Sequence, residues 1–321
     1  MKRLLSLSLA ALAVLFCCCG CKNSIPKTSS SDSAPIRITA ILPHKDYGYW
    51  TDISKGILSA KSDFPVDIKI CMPQLNYNIP QMTKLIEAAT AAQVDGIIVQ
   101  GIDNEDYIKA LEDARSAGVQ VVFIDTDLPH FGSRLYVGTD NYTAGHLMGE
   151  KLVQLTKGDA NVAVISGSPG YPNLELRLSG LKDYIAAYPG VKLLRVDYGN
   201  YDSMTILQKY KEICSSPQNI DTIVSIEGTG ALTLGNMLSI RDKQIKCILG
   251  FDYSDGSIKG LAGGIIDGLI LQQIHKMGYL CVQEIYHFEQ TGQYSKSIIN
   301  TDAVFVASAD LDKEGHYQYD K

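Results

Sequence analysis

From Ile36 onward, short apolar runs rich in Ile and Val alternate with segments of helical period, and this rhythm limits the possible folds more than any other feature of the chain. Strands are expected over 36–42, 67–72, 96–100, 120–124 and 135–137. A helix over 79–93 carries Met82, Leu85, Ile86, Ala89 and Ala92 on one face, and a second over 104–117 is ended by Gly118. After Asn141 the rhythm restarts. Helices are expected over 143–156, 173–188, 203–214 and 231–240, interleaved with strands over 161–166, 191–196, 222–226 and 246–250. Strands that are apolar almost throughout belong in parallel sheets covered on both faces by crossover helices. The number of strand–helix units is enough for two doubly wound parallel sheets rather than one, and 321 residues fit two domains.

The N-terminus reads differently. Lys2 and Arg3 precede an apolar stretch from Leu4 to Phe16 that is too short to span a bilayer, the pattern of a signal peptide over residues 1–20. Cys17, Cys18, Cys19, Gly20 and Cys21 follow. They resemble a bacterial lipobox, in which a cysteine after a small residue is lipidated; Cys21 is the expected site, with Cys18 and Cys19 as alternatives and a simple cleaved signal as the plainer reading. Residues 22–35 are Ser-rich and cannot bury enough apolar surface to fold. They read as a flexible tether with a reach of about 20 Å. The net charge of −6 becomes −8 once the two N-terminal cations are removed. Such a surface does not suit nucleic acid, which needs clustered Lys and Arg. Cys71, Cys214, Cys247 and Cys281 show no metal-ligand spacing; they read as small buried hydrophobes, and whether any two form a disulfide stays open.

Ligands of open parallel sheets bind beyond the C-terminal strand ends. Those positions hold His44 to Trp50, Gln100 and Asp125-Thr126-Asp127. In the second half they hold Ser166-Gly167-Ser168, Tyr198 to Tyr201, Glu227-Gly228-Thr229 and Phe251-Asp252. Asp125 and Asp127, two apart on an extended chain, can pair as carboxylates, but no nucleophile or metal ligand stands near them in sequence. There is no G-x-S-x-G elbow and no H-E-x-x-H, and Gly228-Thr229-Gly230 lacks the third glycine of a dinucleotide fingerprint. The expectation is a binding protein without cofactor or metal, not an enzyme.

The arrangement resembles the type I periplasmic binding proteins, in the sugar-binding branch that includes ribose-binding protein, here in lipoprotein form. The resemblance runs over 36–310 and rests on Ile124 to Asp127, Tyr136 to Tyr142 with Gly145, Arg177 with Gly180, and Gly250-Phe251-Asp252. It implies an N-terminal lobe of 36–140 plus 273–302 and a C-terminal lobe of 141–272 plus 303–321. The chain would cross between them near Asp140, Gln272 and Asp302. It also implies a ligand site. Tyr49 and Trp50 would lie against the sugar ring, Gln100 and Gln272 supply amides, Asp125 and Asp252 carboxylates, Arg177 a guanidinium, Tyr201 a further aromatic and Thr229 a hydroxyl. Thr126 stands where the ribose branch has a second arginine, and Asp46-Tyr47 replace two asparagines. Ribose itself is therefore not the expected ligand, and Lys45 is left to meet an anionic or more oxidised one.

Such a set suits a sugar. Aromatic faces cover C–H surfaces and add about 0.5–1.5 kcal/mol beyond area. Carboxylates accept from hydroxyls, while a guanidinium donates two parallel bonds. An epimer that leaves a buried group unpaired loses about 1–3 kcal/mol. Each residue also has a plainer role: Tyr49 and Trp50 as core, Asp125 and Asp252 as binders of loop amides, Arg177 as a partner of Glu175 or Asp183. The expected function is that of a monomeric extracytoplasmic receptor, lipid-anchored to the bacterial membrane. It would deliver a sugar to the permease of an ABC importer. Alternatives are a receptor for a membrane histidine kinase or chemoreceptor, and capture of a furanose-like quorum signal or a nucleoside. The LacI-like repressors share this fold, but a signal segment stands where their DNA-binding headpiece would be.

Overall fold

The computed structural model describes residues 34–45, 48–237, 239, 241–315 and 317; the signal segment, Cys21 with Cys18 and Cys19, the tether up to residue 33, Asp46 and Tyr47 lie outside the described residues. The first sheet is built from β1 (Ile36–Ile41), β2 (Val66–Cys71), β3 (Gly96–Val99), β4 (Gln120–Ile124) and β5 (Leu135–Thr139), joined by a late strand. α1 (Gly48–Ser59), α2 (Ile79–Ala91) and α3 (Glu105–Ser116) cross between them. The chain then passes through α4 (Asn141–Thr156) into β6 (Ala160–Ser166), α5 (Pro172–Ile185), β7 (Val191–Tyr198), α6 (Ser203–Cys214), β8 (Thr222–Ser225), α7 (Gly228–Met237), β9 (Cys247–Phe251), α8 (Asp255–Ala262) and β10 (Gly268–Gln272). It returns through α9 (Ile274–Thr291) and β11 (Ile298–Thr301) and ends in β12 (Ala303–Val306).

Strand order is β11-β5-β4-β3-β1-β2 in the first sheet and β12-β10-β9-β8-β6-β7 in the second. The orders match strand for strand, so the two lobes are copies of one doubly wound α/β design. The chain changes sheet three times: after Thr139, after Gln272 and after Thr301. Every pair in the first sheet is parallel, whereas β12 runs antiparallel to β10 at the edge of the second. Each sheet carries a core on both faces, as its apolar strands require. α9 completes the first lobe: Met277, Cys281, Val282 and Ile285 are buried among Ile38, Trp50, Ile53 and Val137.

Polar caps start the helices just beyond the strand ends. Asn78, Asn104, Asp140 and Asp202 accept hydrogen bonds from the amides of Gln81, Tyr107, Thr143 and Thr205 at 2.8–3.1 Å, satisfying donors that a first turn leaves open. In the second lobe α4 and α5 touch backbone to backbone, because a Cβ on Gly145 would collide with the Arg177 carbonyl and one on Gly180 with that of Tyr142. α1 and α9 cross the same way in the first lobe. The close crossing lowers Arg177 to the level of the strand ends.

Candidate functional site

Two aspartates terminate corresponding strands. Asp125 follows β4 and Asp252 follows β9, with φ of 68° and 66°, left-handed values that non-glycine residues rarely adopt. The amide of each still donates across the sheet, from Asp125 to Val137 O at 3.0 Å and from Asp252 to Ile270 O at 2.9 Å. Holding that bond while turning sharply points each side chain off the end of its sheet.

In the first lobe Asp125 collects three donors. Tyr49 Oη donates to Oδ1 at 2.5 Å, Gln100 Nε2 to Oδ2 at 2.9 Å and Thr126 Oγ1 to Oδ2 at 2.8 Å. Burial, then the charge of Asp125, push the Tyr49 hydroxyl well above its usual range, so it stays a donor. The structure thus joins Tyr49, Gln100 and Asp125 in one bonded cluster. Trp50 lies edge-on to Tyr49 at 5.4 Å, is 1% exposed in the core of the first lobe, and donates its indole N–H to Tyr77 Oη at 3.0 Å. Asp127 does not pair with Asp125, because Arg134 takes both its oxygens at 2.5–2.6 Å. Lys45 is exposed, with its backbone amide on Asn76.

In the second lobe Arg177 is 3% exposed and bonds neither Glu175 nor Asp183. Its Nε donates to Asn141 Oδ1 at 2.8 Å, its Nη1 donates to Ile226 O at 3.1 Å, and its guanidinium lies 3.8 Å over the Phe251 ring. Those contacts lock its plane. Asp252 accepts from Gln272 Nε2 at 2.7 Å, and the Gln272 oxygen accepts from Thr139 Oγ1 at 2.7 Å, so Gln272 joins two of the three crossings directly and ties them to a site carboxylate. Burial pushes the Asp252 carboxyl up; Arg177 and the Gln272 bond draw it back, and the charge of Asp125 adds to the rise. Asp252 and Arg177 also act on the Tyr49 hydroxyl, so the clusters of the two lobes lie within electrostatic reach of each other.

Thr229 sits beside a group that its neighbours explain. Its amide and that of Gly230 donate to the Glu227 carboxylate at 2.7 Å each, so Glu227 closes the N-terminus of α7 from inside the protein. Burial raises the Glu227 carboxyl and the amides draw it down. Tyr201 is half-exposed and lies on Gly167, where a side chain would occupy the ring's space; Tyr171 packs edge-on against it at 5.8 Å. Tyr77, Tyr171, Asn141 and Thr139 are missing from the residues expected from sequence. A signal existed for Asn141, which begins the helix after β5, but none for the tyrosines. Among the described residues no group of His, Cys, Asp or Glu is arranged to hold a metal, and Cys71, Cys214, Cys247 and Cys281 are free thiols.

This fold and site define a two-lobed ligand-binding protein. A model of the periplasmic binding protein domain matches residues 38–292, and the chain belongs to that family, in its type I sugar-binding branch. It is 26% identical over 217 residues to a D-apiose import binding protein of Actinobacillus succinogenes, covering 66% of this chain and 69% of that protein. It is 24% identical over 223 residues to the xylose/arabinose-binding protein XylF of Sulfolobus acidocaldarius, covering 64% of this chain and 54% of that protein. The chain thus spans about half the length of XylF. An ABC transporter solute-binding protein of Burkholderia graminis, solved with D-arabinose, superposes with a TM-score of 0.78 at 25% identity, over 89% of this chain and 99% of that one.

Proposed function

We propose that the protein captures a neutral sugar between its lobes and delivers it, by closure, to the permease of an ABC importer. The observation that carries this is the pair Asp125 and Asp252. They are equivalent strand-end aspartates in left-handed backbone, one per lobe, with Arg177 beside the second. A ligand with hydroxyls all round satisfies acceptors and donors on both sides at once, and only contacts to both lobes favour closure. The carboxylates of Asp125, Asp252 and Glu227 outnumber the guanidinium, which disfavours a sugar acid. Gln100, Gln272, Tyr201 and Thr229 belong to the proposed site as lining, and Tyr49 as the residue that orients Asp125. The relatives' sugars, their import role and the family's extracytoplasmic setting support the reading. Lipidation of Cys21, or of Cys18 or Cys19, would hold the receptor at the membrane beside its partner. Capture and release require no turnover.

A thermal-shift screen of D-xylose, D-arabinose, D-apiose, D-ribose, the matching sugar acids, nucleosides and a furanone signal tests it. A ligand at about 100 times its Kd adds about 2.7 kcal/mol. One neutral sugar standing out, with its acid silent, is the expected result. A response to nucleosides or the furanone alone overturns the sugar, and binding to a sensor kinase instead of a permease overturns the import role.

A further inference from the structure

The matching strand orders place the loop after β2 and the loop after β7 at the same corner of their lobes. In each loop the residue just before the helix cap is a tyrosine in left-handed backbone: Tyr77, φ 55°, before Asn78, and Tyr201, φ 56°, before Asp202. Each ring is half-exposed, 50% for Tyr77 and 43% for Tyr201. Each is braced edge-on by an aromatic from the neighbouring strand-end loop of its own lobe: His44 on Tyr77 at 5.8 Å and 71°, Tyr171 on Tyr201 at 5.8 Å and 76°. A bulky residue seldom holds this conformation, and such strain gathers at ligand clamps. Both loops are held in place by more than the tyrosine. The Tyr77 amide donates to Pro43 O at 2.7 Å, Asn76 bonds His44, and Trp50 donates to the Tyr77 hydroxyl. Across the cleft, Asn200 N donates to Gly167 O at 2.9 Å, and Ser168 bonds Asn200.

We propose that Tyr77 and Tyr201 are a pair of jaws, one on each lobe, that meet at the mouth of the cleft on closure and retain the bound sugar, with Trp50 positioning Tyr77 from below. Burial is the main cause that pushes the Tyr77 hydroxyl up to about 12 and raises that of Tyr201; the smaller contributions of Tyr171 to the first and of Tyr77 to the second place the two corners within electrostatic reach. Polar groups at the strand ends choose the ligand, while the jaws set how long it stays. The inference rests on sugar capture, and its test separates the two.

Trp50 is the sole tryptophan, so its emission reports directly on this corner. Binding and release of whichever panel sugar stabilises the full chain are followed by stopped-flow fluorescence for wild type, Tyr77→Ala, Tyr201→Ala and the double variant. Melting of the unliganded forms checks folding. The expected result is faster dissociation in each single variant with association nearly unchanged. The double variant should lose less than the product of the two, with a coupling of about 2–10-fold, the range for an aromatic pair. Tyr77→Phe, which keeps the ring but removes the indole's acceptor, should fall between wild type and Tyr77→Ala and shift Trp50 emission. Multiplying effects, or unchanged dissociation, overturn the jaws. If no panel sugar binds wild type, the sugar reading fails on its own. The jaws are then decided without ligand, by a short bismaleimide on Tyr77→Cys/Tyr201→Cys in a Cys71→Ser/Cys214→Ser background. Intramolecular crosslinking supports the meeting of the two positions, and its absence overturns it.

Discussion

A carboxyl shut away from water holds its proton harder, and Asp252 is such a group. Its folded pKa lies above the unfolded value. Its contribution to stability is therefore complete below the ordinary carboxylate range and is lost as pH rises through the raised folded value. Asp252→Asn keeps an oxygen to accept from Gln272 and removes the buried charge. It should raise the melting temperature of the unliganded chain at pH above the ordinary carboxylate range, flatten its loss as pH rises from that range, and weaken sugar binding at least about tenfold; scanning calorimetry and titration across a series of pH values check both halves. Arg177→Ala should lower stability, because it leaves the Asn141 side chain and the Ile226 carbonyl without their donor and uncovers the Phe251 ring, at a cost of about 1–3 kcal/mol. A normal melting temperature with intact sugar affinity would remove Arg177 from the site. Gln100, Asp125 and Asp252 were legible in the sequence because each directly follows an apolar run, and topology gives that position its meaning. Tyr77 was not, since its place depends on one left-handed residue in a polar loop, which no hydrophobic period records. Trp50 was legible both as an aromatic beside the ligand and as a core residue, but its N–H bond to Tyr77 was not.

At the scale of elements, α7 shows what pattern reading misses. Its expected start at 231 moves to Gly228 because the Glu227 carboxylate binds the amides of Thr229 and Gly230, and a glycine-rich first turn hides a helix from propensity. Glu227→Gln would turn an N–H toward one of those donors and should destabilise by about 1–3 kcal/mol, readable by urea unfolding. β12 was equally opaque: apolar alternation fixes which face is buried but not the direction of the strand. The crossing of α4 with α5 gives a sharper test. Gly145→Ala pushes against the backbone of Arg177 and should cost about 1–3 kcal/mol. It should also lower sugar affinity more than its stability loss explains, because the guanidinium rides on the displaced turn.

At the scale of the whole molecule, Gln272 ties the first crossing to the second through Thr139 and to the site through Asp252. Gln272→Leu strands both partners. It should destabilise by about 1–3 kcal/mol and broaden the range of lobe orientations, seen as a larger radius of gyration in X-ray scattering without sugar and a smaller contraction with it. The two-sheet architecture was legible from the repeated rhythm, whereas this linkage joins residues 133 positions apart and has no local signature. The same return of the chain bears on how the protein is made. The second sheet, apart from β12, is continuous in sequence, but the first lobe lacks α9 until Met277 to Ile285 have been synthesised. Until then Ile38, Ile53, Ile57 and Val137 have one side of their core unfilled. The lobe begun first therefore waits for its covering helix until most of the chain has been made. Until α9 is made that face of the first lobe stays unfilled, and contacts of such long sequence separation are slow to form.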